Sequence, residues 1–177
     1  SQTGVKGVIF DWAGTIVDYG CQAPTVVFVE IFKEKGVEIT LAEAREPMGI
    51  AKRDHVKYLL EMPRINALWS EKYGKTPDES DVDDIYSRLE PKLKEIVTDY
   101  GDLIPGLIEL QAYLKGRGIK IGTTTGYVSS MMEDIIPSAK EQGFEPDSIV
   151  TSSDVESGRP QPWMCFKNAA NMGIYPM

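Results

Sequence analysis

Val8-Ile9-Phe10-Asp11-Trp12-Ala13-Gly14-Thr15 is the stretch whose reading decides the fold. A short apolar run ends on a carboxylate, and a small residue, a glycine and a hydroxyl follow. Strands covered on both faces of an α/β sheet read as continuous apolar runs. Ligands of such sheets bind just outside the carboxyl ends of the strands, and Asp11 stands at that edge. Gly14 lets the backbone turn sharply, so that loop N–H groups can face a phosphoryl oxygen. An aspartate so placed can attack phosphorus and form an acyl phosphate. The competing reading is that Asp11 only opens a helix, since Asp is a common N-cap.

Working outward, Gly7–Phe10, Ile119–Thr123 and Ser148–Thr151 read as buried parallel strands, each leading into a polar or glycine-containing loop. Helical patterns follow the same alternation. Leu107–Lys115 stops at Gly116, Ser129–Gln142 stops at Gly143, and Trp163–Met172 stops at Gly173, as glycine stops should. Pro137 is expected to kink or divide the second of these. Strands alternating with helices predict an α/β fold with a parallel, right-handed βαβ core. Three strands make an unfinished sheet, because such sheets carry about five or six. The expectation is a core that is incomplete on its C-terminal side.

Residues 19–100 break the rhythm, with helical patterns and no convincing strand. The patterns run over Ala23–Lys35, Ile50–Glu61, Pro63–Tyr73 and Ser80–Val97, with a capping box at Thr40-Leu41-Ala42-Glu43. Val82, Ile85, Leu89, Leu93 and Ile96 recur at helical spacing, and Pro91 suggests a kink or a second start. The predicted organisation is a core of residues 1–18 and 101–177, with a helical cap domain at 19–100.

The chain has 177 residues, room for one domain and a small second one. Its formal net charge is -8, from 19 basic and 27 acidic residues, which argues against nucleic acid or an anionic membrane as partner. A negatively charged small molecule would need locally focused positive groups. Cys21 and Cys165 are too few for a disulfide framework. No apolar run approaches the roughly 18 residues of a membrane span. Ser1-Gln2-Thr3-Gly4 lacks the basic and apolar regions of a secretory leader. These features predict a soluble, cytoplasmic protein with reduced thiols.

Three further places carry chemistry. Lys52 follows Pro47-Met48-Gly49 on a helical pattern, and His55 shares its face three residues on. A lysine in an apolar pocket becomes a usable amine nucleophile toward carbonyls, and the single histidine could relay a proton near neutral pH. The plain alternative is a solvated surface lysine. Thr123-Thr124-Thr125-Gly126-Tyr127 ends the second strand, where a hydroxyl and turn N–H groups can hold a phosphoryl oxygen; equally, threonine is simply a good strand former. Arg159, in Ser157-Gly158-Arg159-Pro160, could grip phosphate with its guanidinium, or be an exposed loop residue.

An Asp after the first strand, a Thr after the second core strand and a cation after the third together resemble the first three motifs of the haloacid dehalogenase superfamily. That superfamily usually writes its first loop Asp-x-Asp, and here Ala13 replaces the second carboxylate. Asp-Trp-Ala-Gly-Thr instead resembles the phosphonatase family within it. So do Asp18-Tyr19-Gly20-Cys21, Pro47-Met48-Gly49, Lys52 with Asp54-His55, Glu61-Met62-Pro63-Arg64, Thr124-Thr125-Gly126-Tyr127, Gly158-Arg159-Pro160 and Pro162-Trp163-Met164-Cys165.

The resemblance implies a Rossmann-like core with a helical cap and hydrolysis of the C–P bond of phosphonoacetaldehyde to acetaldehyde and phosphate. Lys52 would form a Schiff base with the aldehyde and Asp11 would attack phosphorus. Thr125, Gly126 and Arg159 would hold the phosphoryl group, and Cys21, Met48, His55 and Tyr127 would line the space around the imine. Mg2+ would sit on Asp11 and the backbone carbonyl of Ala13, and a homodimer would form through the cap. A fourth motif, Gly-Asp-Thr followed by another Asp, belongs after Tyr175-Pro176-Met177, where the chain stops. Two other readings remain: a phosphate-ester hydrolase of the same superfamily, and a non-catalytic truncated module. Ala13 argues against the first, because an alkoxide leaving group wants an acid.

Overall fold

The computed structural model describes residues 4–175. Ser1-Gln2-Thr3, part of the segment read for a leader, and Pro176-Met177, where a further strand is expected to begin, lie outside the described residues. In chain order the elements are β1 (Gly7–Asp11), α1 (Gln22–Glu34), α2 (Leu41–Arg45), α3 (Lys52–Glu61), α4 (Pro63–Tyr73), α5 (Glu79–Ile96), α6 (Leu107–Gly116), β2 (Lys120–Thr125), α7 (Ser129–Glu141), β3 (Ser148–Thr151) and α8 (Trp163–Asn171). The chain divides into two compact units: one runs to Cys21 and resumes at Thr98, and the other is Gln22–Val97.

The first unit holds a parallel sheet in the order β1-β2-β3. Its register sets Phe10 beside Thr123, Asp11 beside Thr124, and Thr125 beside Thr151. β2 therefore extends two residues beyond Thr123, and Thr124 and Thr125 are strand rather than loop, held by ladders on both sides. Every residue of β2 from Ile121 to Thr125 is buried. β1 differs from the expected buried strand: all five of its residues are half-buried, since among the described residues it has a neighbour on one edge only. The helical reading of Asp11 fails. The residue ends a strand, and no helix begins before Gln22.

The second unit is all helical. α5 packs on α1 and α3, burying Val82, Ile85, Leu89 and Leu93 at the spacing read from sequence. Each fully buried Leu or Ile contributes about 1.5–3 kcal/mol relative to exposure. Pro91 lies inside α5 and Pro137 inside α7, yet neither helix is divided. Both prolines are exposed, so the carbonyl one turn back loses its N–H donor on a solvent face, where water can replace it. Apolar packing on the opposite face then outweighs the local cost. The Thr40 capping box forms as expected, with Thr40 Oγ1 accepting from Glu43 N–H at 3.1 Å and Glu43 Oε2 accepting from Thr40 N–H at 2.8 Å. Arg64 of α4 donates to both Glu43 oxygens, at 2.6 and 2.5 Å. This fork holds the Glu43 carboxyl down at about 2, well below its ordinary value, and ties α2 to α4.

Candidate active site

At the carboxyl end of the sheet, β1 delivers Asp11 and β2 delivers Thr124 side by side. The loop after Asp11 is wound around one carbonyl: Trp12 O accepts the N–H groups of Thr15, Ile16 and Val17 at 2.8–3.2 Å. The Trp12 side chain is buried and meets Phe144 edge-on, with ring centroids 5.8 Å apart. Gly14 takes φ +85°, a backbone conformation that favours glycine, and a Cβ there would crowd Cys21 Cβ at 3.1 Å. Cys21 itself adopts φ +51°, and its N–H donates to Asp18 O at 2.8 Å.

Arg159 returns to the same place from the loop after β3. Its Nη2 donates to Asp11 Oδ1 at 2.8 Å and to Thr124 Oγ1 at 2.8 Å. The side chains of Arg159 and Asp11 are 27% and 41% exposed, so this is a half-sheltered pair open to solvent on one side, and the exposed-loop reading of Arg159 does not hold. Sequence reasoning did not single out Thr124 as the arginine's partner. The signal was the register, which only strand pairing supplies.

Thr125, the threonine read as a phosphoryl ligand, is buried, and its Oγ1 accepts the Tyr127 N–H at 3.0 Å across Gly126. Tyr127 is buried near Asp18, Cys21 and Asp11; burial first, and then these neighbours, push its phenol well above the ordinary range, so it stays protonated. The loops after β2 and β3 are stitched together: Ser152 Oγ donates to Tyr127 O at 2.9 Å, and Ser129 N–H donates to Ser153 Oγ at 3.0 Å. Asp154 caps the end of β3 by accepting from Thr151 N–H at 2.7 Å.

The remaining candidates belong to the helical unit. α3 begins at Lys52 rather than Ile50, so Lys52 stands in the first turn. It is 9% exposed, not a solvated surface lysine, and its Nζ lies 3.7 Å from Met48 Sδ. His55 is fully buried, its ring stacked on Phe28 with centroids 4.1 Å apart. Its Nε2 lies 2.9 Å from Ala44 O and therefore carries the proton, donating to that carbonyl. Burial, reinforced by the Lys52 charge, pulls the imidazole down to about 4. His55 is thus neutral around pH 7, and the reading of it as a proton relay titrating near neutrality is corrected.

For a metal ion, the Asp11 carboxylate and Ala13 carbonyl are oxygen donors two residues apart on one loop. Among the described residues no group of three His, Cys, Asp or Glu side chains gathers. The pair nevertheless fits Mg2+, which takes one or two carboxylates and fills its remaining positions with water and substrate phosphate. Among the described residues no helix is long and apolar enough to cross a membrane.

Known proteins resemble the chain over nearly its whole length. A phosphonoacetaldehyde hydrolase from Bacillus cytotoxicus is 53% identical over 173 residues, covering 98% of this chain and 66% of that protein. A bifunctional phosphonoacetaldehyde hydrolase/aminoethylphosphonate transaminase from Clostridioides difficile is 50% identical over 98% of this chain and 27% of its own length. The chain thus spans just under two thirds of the first and about a quarter of the second. Among solved structures, a phosphonoacetaldehyde hydrolase-like protein from Oleispira antarctica superposes with a TM-score of 0.93 at 42% identity, over 97% of this chain and 62% of that one. The family model for haloacid dehalogenase-like hydrolases matches residues 5–176, and the chain belongs to that family.

Proposed function

We propose that the chain carries the chemistry of a phosphonoacetaldehyde hydrolase, cleaving phosphonoacetaldehyde with water to acetaldehyde and phosphate. One observation carries the reading: a lysine buried in the first turn of α3 accompanies an Asp11 loop that has Ala13 where a second carboxylate would serve phosphate esters. The Gln22–Val97 unit acts in this reading as the cap domain. Assembly as a homodimer through it and a cytoplasmic location are part of the same proposal, and sedimentation tests the first.

Lys52 Nζ adds to the substrate aldehyde and expels water, giving an imine whose protonated form is an electron sink. Asp11 attacks phosphorus in line. The C–P electrons pass into the iminium as an enamine, and the carboxylate becomes an acyl phosphate. The leaving enamine needs no proton on oxygen, so Ala13 costs the cleavage step nothing. Water then hydrolyses the acyl phosphate, and a second water releases acetaldehyde after the enamine takes a proton on carbon. Net, one water is consumed. Arg159, with the Thr124–Thr125 end of β2 and the Gly126 turn, balances charge on the phosphoryl oxygens. Cys21, Met48, His55 and Tyr127 shape the surroundings of the aldehyde. Mg2+ held by Asp11 and the Ala13 carbonyl would supply further neutralisation of the phosphoryl group.

Borohydride added with phosphonoacetaldehyde should fix mass on Lys52, read by peptide mass spectrometry, and Lys52→Arg should abolish the adduct. An adduct on another lysine, or undiminished labelling of the Arg variant, overturns the assignment.

A further inference from the structure

Asn168 lies on α8 and is fully buried, a polar side chain in the packed interior. Its Nδ2 donates to Thr123 O of β2 at 2.8 Å and to Met164 O of its own helix at 3.0 Å. Among the described residues its Oδ1 has no hydrogen-bond partner. A Cβ on Gly122 would stand 2.7 Å from that oxygen, so the close approach of α8 to β2 depends on glycine in the strand. A buried amide with one half unsatisfied is costly, and an apolar residue of similar size would avoid the cost. Such a group calls for a reason, and its position offers one. Thr123 immediately precedes Thr124, the hydroxyl that accepts from Arg159, and α8 begins four residues after Arg159 in the same stretch of chain.

We propose that Asn168 is a positioning residue: by pinning α8 to the main chain of β2 next to Thr124, it sets where the Arg159 guanidinium meets Asp11 and Thr124. The proposal rests on the reading of that cluster as the phosphoryl site. The amide ties the helix that follows Arg159 to the strand that carries Thr124, through the carbonyl one residue before it. Without it, apolar contacts still hold α8 on the sheet, through buried Met164 and Ala169, but contacts without direction tolerate a small slide that a hydrogen bond does not.

The test follows Arg159 itself and needs no turnover. Phenylglyoxal modification of the chain is timed at the Arg159 peptide by mass spectrometry in wild type, Asn168→Leu and Asn168→Ala. Asn171→Ala is the control, because Asn171 on the same helix donates to Ser148 Oγ of β3 at 3.1 Å rather than to β2. Either Asn168 variant that keeps a cooperative melt should be modified at Arg159 about fivefold faster, the factor one hydrogen bond of ordinary net strength represents. The control should match wild type even where its melting temperature falls by as much. An unchanged Arg159 rate in the folded Asn168 variants, or an equal increase in Asn171→Ala, overturns the proposal. Inorganic phosphate is then added to wild type. Failure to protect Arg159 strikes at the phosphoryl-site reading, while the comparison among variants still decides the positioning role.

Discussion

In the sheet-bearing unit the polar side chains of the candidate site meet one another; in the helical unit Lys52 is buried beside Met48 Sδ, and His55 stacks on Phe28 while donating to the Ala44 carbonyl. Arg159 bridges a carboxylate and a hydroxyl at 2.8 Å each, half-open to solvent. Lys52 lies buried beside a thioether, and His55 is wedged neutral against Phe28. In the function proposed above, the two arrangements would serve different halves of a substrate. A phosphoryl group brings negative charge and wants cations that are already oriented and partly desolvated. A carbonyl brings none and wants an amine sheltered from water. The helical unit keeps its ordinary ion pairs elsewhere: Arg53 and Lys57 of α3 meet Glu79 and Asp83 on the surface at 2.6–2.8 Å, where such pairs contribute little.

The sharpest way to break this division is at Asp11. Asp11→Ala should reduce phosphate release by several orders of magnitude while borohydride still traps the aldehyde on Lys52. Retained turnover would mean that the sheet cluster is not the phosphoryl half. Next in size is a pH effect confined to the helical unit. The folded imidazole of His55 sits at about 4 against 6.5 ordinarily. Between these values the unfolded chain binds a proton that the folded chain refuses, so stability is complete above 6.5 and declines as pH falls toward 4. The expected loss is about 3 kcal/mol, since each tenfold difference in proton affinity between the folded and unfolded chain is worth about 1.4 kcal/mol. Urea melts of wild type minus His55→Gln across that range measure it, and a flat difference would show the ring to be less isolated than its packing implies. Smaller again, Thr124→Val removes one acceptor of a charged donor and should weaken inorganic phosphate binding about tenfold, read by calorimetry, with imine trapping unchanged. The smallest change is Thr40→Ala. It deletes the capping box and should cost about 1 kcal/mol in urea unfolding, leaving Arg159 and its partners untouched.

Much of this is legible in the sequence. The apolar run into Asp11, the glycine at 14, the capping box at Thr40 and the stripe Val82-Ile85-Leu89-Leu93 are local patterns, and they formed where read. Misreadings arose where local rules met distant contacts. Pro91 and Pro137 carry a penalty that falls on solvent faces and is overridden by packing. Asp78 caps α5 through Ser80 and Asp81, so the helix begins at Glu79, one residue before the Ser80 at which the apolar pattern places it. Nothing around Lys52 or His55 in the sequence reveals how deeply a helix start is buried.

The sequence by itself determined the alternation of strand and helix, the helical interruption, and the residue types gathered at the strand ends, because periodicity, capping and turn chemistry act within a few residues. Only the tertiary structure decided which of three consecutive threonines meets Arg159, that Asp11 lies beside it across a separation of 148 residues, and that Lys52 and His55 are sheltered. Those outcomes depend on strand register and on what packs over a side chain, and both are set by groups far along the chain.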